Sequence, residues 1–190
     1  MMEQVERRRA PLLNPWRVAG WGFLLALLCL PAIAMRVAPD GGVNWTASDF
    51  VFAAVMFGLV GTGFELAFRR AGSWAYRAAA VIAVLATFFL IWLNLAVGII
   101  GNEDNPANLM FGGVLGIGLT GSLVARFGAD GMSRTMALAA GAQAFVGTVA
   151  LAGKLGEGSA AWPWDVADLT IFFTVAWGLA AVLFRKAARA

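Results

Sequence analysis

Apolar residues are gathered into six long runs, at 18–35, 50–68, 78–101, 109–125, 135–153 and 169–184, separated by short polar segments. A helix crossing a bilayer needs roughly 20 apolar residues at a rise of about 1.5 Å each, with about 17 as the lower end. The pattern therefore predicts an all-α fold, a polytopic transmembrane bundle of six helices forming one domain over 1–190. The last run is short and reaches across only if Asp168 and Arg185 sit at the two interfaces.

The N-terminal segment admits a rival account, since a basic region ending at Arg17, an apolar stretch and Ala32-Ile33-Ala34 are laid out like a cleavable signal. That apolar stretch is long for a signal peptide, so it is read as the first span.

Charge placement tests the segmentation independently, because cytoplasmic loops of multispanning proteins are enriched in Lys and Arg. With the N-terminus inside, Arg7, Arg8, Arg9, Arg17, Arg69, Arg70, Arg77, Arg126, Arg134, Arg185, Lys186 and Arg189 are inner, against Arg36 and Lys154 outside. Dropping or adding an internal helix would flip every later loop and destroy this bias. Both termini are predicted to be cytoplasmic. Most carboxylates take the opposite side, so the net charge of +3 conceals a basic inner face and an acidic outer one. The basic balance is not read as nucleic-acid binding.

Composition narrows the chemistry. At 61% hydrophobic and 13% charged, the chain is far from a soluble domain, in which about 45–50% of residues are apolar and about 25% charged. Histidine is absent and cysteine occurs once, at Cys29, which removes the usual ligands for haem and zinc and any intrachain disulfide. No cofactor, metal site or catalytic residue is assigned. Cys29 reads as a small buried apolar side chain.

Helices in lipid approach one another through small residues. The fourth run carries Gly112, Gly116 and Thr120 at four-residue spacing and is expected to be central and tightly packed. The fifth carries two such lines, Ala140-Ala144-Thr148 and Ala139-Gln143-Gly147. In the third, Ala80, Ala83, Thr87, Asn94, Gly98 and Gly101 fall on roughly one face. The repeated triplets Met56-Phe57-Gly58 and Met110-Phe111-Gly112 hint at a duplicated hairpin.

Two polar constellations stand out. Glu65 lies about 24 Å along the second helix from its outer end, close to the inner boundary, and precedes Arg69 by four residues, the favourable order for an ion pair. One reading is a structural pair with Arg69 or another inner cation; the other is a proton or cation site facing an inner cavity. The second constellation is the outer turn Asn102-Glu103-Asp104-Asn105-Pro106-Ala107-Asn108. Glu103, Asp104 and the carboxamides offer hard oxygen ligands for Ca²⁺ or Mg²⁺. Asn105 followed by Pro106 equally fits a capped helix start. Asn94 sits roughly 12 Å below Asn102 along the helix, which would extend a polar path into the bundle.

The stretch Asn94-Leu95-Ala96-Val97-Gly98-Ile99-Ile100-Gly101, continued through Asn108, resembles a segment of uncharacterised bacterial inner-membrane proteins. The resemblance covers about fifteen residues. It implies a bacterial inner (cytoplasmic) membrane location and brings no activity, cofactor or catalytic residue with it.

Three function classes follow. Minimal loops and abundant small-residue surfaces point to an accessory or assembly subunit, with membrane-protein partners or further copies of the chain packed beside it in the lipid bilayer. Glu65, Asn94, Gln143 and the acidic outer mouth point to a transporter or channel for a small solute or cation. An intramembrane enzyme has least support: Ser122 follows Gly121, but no histidine is present to activate it.

Overall fold

The computed structural model describes residues 15–70 and 72–190. Arg7, Arg8, Arg9 and the carboxylates Glu3 and Glu6 lie outside the described residues. Among those described, every regular element is helical: α1 (Pro15–Val37), α2 (Ala47–Arg70), α3 (Trp74–Ala96), a 3-10 turn (Pro106–Leu109), α4 (Met110–Val124), α5 (Ala129–Ala152) and α6 (Trp164–Ala188). Six helical segments, counting the 3-10 turn with α4, are long and apolar enough to cross a membrane. The chain thus has the architecture of a multi-pass membrane protein.

Helix boundaries follow local chemistry. Thr46 and Asp49 form a reciprocal cap at the start of α2: the Thr46 amide donates to the Asp49 carboxylate at 2.7 Å and the Asp49 amide to the Thr46 hydroxyl at 3.4 Å. Ser73 caps α3 by accepting from the Tyr76 amide. Against the expected 78–101, α3 starts earlier and ends at Ala96. Gly98 has φ +70°, and a Cβ there would lie 2.1 Å from the Asn102 backbone, so the chain turns where the apolar run continues. Gly98 and Gly101 therefore belong to a loop and not to the helix face expected of them.

α6 is a full 25 residues instead of the short run 169–184, because Trp164, Asp165, Arg185 and Lys186 continue the helix past the apolar residues at both ends. α5 likewise starts at Ala129, ahead of 135, and its first turns carry the pair Arg134–Asp130 at 2.7 Å. Both α4 and α5 stop in the same way. The Phe127 amide reaches the Ser122 carbonyl and the Leu155 amide the Ala150 carbonyl, with Arg126 and Lys154 left-handed at φ +47° and +53°. This is the helix end that glycine usually supplies.

Two compact units share the chain, 1–65 and 66–190. In the first, α1 meets the facing stretch of α2 where Gly61 admits the Trp21 ring; a Cβ on Gly61 would come within 2.7 Å of it. Cys29 is exposed on α1, contrary to the buried position expected, because the apolar window of α1 is not buried at all within the chain.

In the second unit, α6 packs against α3 and α5, and α4 against α5. An alanine-lined face of α3 (Ala79, Ala83, Ala86) and the large side chains Phe173, Trp177 and Phe184 of α6 fill one core with Phe111, Val114, Met136 and Ala139. Small residues on α3 and large ones on α6 are what close packing of neighbouring helices requires.

The expected tight face of α4 is open. A Cβ on Gly112, Gly113 or Gly116 would meet nothing within 4 Å, and Thr120 is exposed. Burial selects the opposite side, through Phe111, Val114 and the close approach of Gly121 to Thr135. On α5 the line Ala139-Gln143-Gly147 is the buried one, whereas Thr148 of the other line is exposed. The repeated triplets take different places, Met56 well inside α2 and Met110 opening α4, which gives no structural support to a duplication.

Candidate functional site

The turn between α3 and α4 is built around one carboxamide. Asn108, buried, accepts from the Ile99 and Ile100 amides at 3.0 and 2.9 Å through Oδ1, and donates from Nδ2 to the Asn102 carbonyl at 2.7 Å. Asn105 caps the 3-10 turn by accepting from the Ala107 amide at 3.0 Å, with Pro106 at its first position. Its Nδ2 donates to the Leu155 carbonyl at 2.7 Å, which ties the turn to the segment after α5. Ile99 and Ile100 are fully buried beneath it. Two of the three carboxamides are thus committed to backbone, while Glu103 and Asp104 are exposed. Among the described residues no three carboxylate or cysteine side chains come together as a metal-binding group.

In the first unit, Arg17 donates from Nη2 to Oε1 of Glu65. The Glu65 side chain is 20% exposed and that of Arg17 45%. Arg69 lies one turn further along α2, as its sequence position requires. The sequence gives no reason to single out Arg17 among the basic residues; the hairpin of α1 and α2 supplies it by returning the chain to the same end. Ser122 is engaged on its own helix, donating to the Gly118 carbonyl at 2.6 Å.

Several uncharged polar side chains are buried within the second unit. Gln143 is completely buried, and neither its Oε1 nor its Nε2 has a hydrogen-bond partner. The hydroxyls of Thr170 and Thr174 and the indole Nε1 of Trp177 are buried and partnerless as well. The last three fall at i, i+4 and i+7 on α6, one face of one helix. Asn94 donates to the Leu90 carbonyl at 2.7 Å, but its Oδ1 is also buried without a partner. The i, i+4, i+7 spacing was legible in the sequence; what hid Thr170, Thr174 and Trp177 is that such a spacing also describes ordinary packing.

No protein-family profile, curated protein or solved structure matches this chain.

Proposed function

We propose that this protein is a non-enzymatic accessory or assembly subunit of a membrane complex, resident in a bacterial inner membrane with both termini cytoplasmic. The observation that carries the reading is the open face of α4. Gly112, Gly116 and Thr120 repeat at the spacing by which membrane helices approach one another, yet this face meets nothing within 4 Å at its glycines. Lipid tails gain little from lying against glycine, whereas a second helix gains close backbone contact there. The partner is a membrane-spanning helix of another protein, seated against α4.

A small-solute or cation transporter with an acidic outer mouth is the second reading, and it draws on the exposed Glu103 and Asp104. The commitment of Asn105 and Asn108 to the backbone weighs against it, because it leaves few neutral ligands around those carboxylates. Purification from native membranes in mild detergent separates the two. The subunit reading expects a second polypeptide at fixed stoichiometry, and a chain recovered alone or only as a homo-oligomer would contradict it.

A further inference from the structure

Helical hydroxyls in the 66–190 unit mostly serve their own helix. Thr87, Thr120, Ser122, Thr135 and Thr148 each donate to the carbonyl four residues back, at 2.6–3.0 Å. In lipid that is the nearest acceptor, and a hydroxyl without it is left unsatisfied. Thr170 and Thr174, successive turns of one face of α6, do not make this bond.

Contacts between helices show what else lies at that level. The close approach of Gly147 to Thr170 and the bond from the Ser133 hydroxyl to the Ala181 carbonyl fix α5 and α6 antiparallel, with Gln143 level with Phe173 and Thr174. Trp74 with Lys186 and Tyr76 with Phe184 fix α3 and α6 in the same way, so Ala83, Ala86 and Thr87 lie level with Trp177, Thr174 and Phe173, and the Thr87 hydroxyl is already committed to the Ala83 carbonyl. Gln143 stands about 21 Å along a helix of about 36 Å, near the middle of the span.

The group is uncharged and mixed in character. It offers the indole N–H and the amide N–H₂ as donors, the amide oxygen as acceptor and two hydroxyls able to do either. An ion would find no countercharge in it, and an apolar occupant would leave all five polar atoms unsatisfied.

We propose that Gln143, Thr170, Thr174 and Trp177 form a binding site near the bilayer midplane for a small uncharged molecule that both donates and accepts hydrogen bonds. Water and a compact amide or polyol share that chemistry. Asn94, level with Val166 and one turn nearer the outer surface than Leu90, extends the same polar line outward.

The decisive test is the structure of the wild-type chain in lipid nanodiscs at a resolution that shows ordered water. Non-protein density within hydrogen-bond distance of the Gln143 amide is expected. A Gln143 bonded directly to Thr174 or Trp177, with no further density, overturns the proposal whatever other measurements show. Emission from a variant keeping Trp177 as its sole tryptophan then distinguishes the occupants. A saturable shift on titration with acetamide or glycerol, lost in Gln143→Leu, assigns a solute. A blue shift in Gln143→Leu without any saturable response assigns water.

Discussion

Arg17, in the first turn of α1, donates to the carboxylate of Glu65, 48 residues along the chain, and so joins the start of α1 to the later turns of α2. Its worth depends on depth. A fully exposed pair contributes little, typically about 0.2–1 kcal/mol, while a carboxylate left alone in a low-dielectric setting is costly. Glu65 is the more enclosed partner. Glu65→Gln is expected to lower the melting temperature in detergent, by the equivalent of about 1 kcal/mol after allowance for the exposed guanidinium. Glu103→Gln, at an exposed site, is expected to leave it unchanged. Equal melting temperatures for the two variants would show that the pair adds nothing.

The turn between α3 and α4 should fail at Asn108 before it fails at Asn105. Asn108→Ala strands the amides of Ile99 and Ile100, each buried, at about 1–3 kcal/mol apiece. Asn105→Ala removes a cap, worth about 1 kcal/mol. Denaturation in mixed micelles should rank the two in that order, and the reverse order would remove Asn108 from the centre of the turn.

Divalent cations should leave stability untouched. A ligand that binds only the folded state raises the melting temperature by mass action. Because Glu103 and Asp104 are exposed and the side chains of Asn105 and Asn108 are committed to backbone, Ca²⁺ and Mg²⁺ are expected to produce no shift. A saturable shift abolished by Glu103→Gln with Asp104→Asn would move the transport reading ahead.

Lys154 holds the left-handed position after α5 that glycine occupies at no steric cost. Its pairing with Glu157 is exposed and contributes little. Lys154→Gly is therefore expected to stabilise the protein, by about 1 kcal/mol from relief of the left-handed strain. A lower melting temperature would mean that the side chain matters more than the backbone here.

Much of this architecture was legible because bilayer thickness leaves little freedom: six apolar runs became six helices long enough to cross, the last by extending past its run at both ends. Boundaries were legible only where composition and backbone change together. They do so at Pro106 and after α5, where the apolar run ends at Gly153, the residue that caps the helix, and they do not at Ala96, where an apolar run continues through a glycine turn. The Gly112-Gly116-Thr120 spacing showed that α4 has a small-residue face but not which side the chain itself covers, since Phe111 and Val114 outcompete glycines for burial. Arg17 and the polar face of α6 depend on contacts between distant helices. Sequence spacing along one helix carries no such contacts.

The subunit reading stands or falls on what lies against α4. In a Cys29→Ala background, Gly116→Cys and Phe145→Cys place single thiols on the open face of α4 and on an exposed position of α5. Thiol cross-linking in native membranes, read by mass, is the direct measurement. A product joining Gly116→Cys to a second protein, with none from Phe145→Cys, is predicted. Equal yields from both positions, or only unlinked chain from each, would contradict the account.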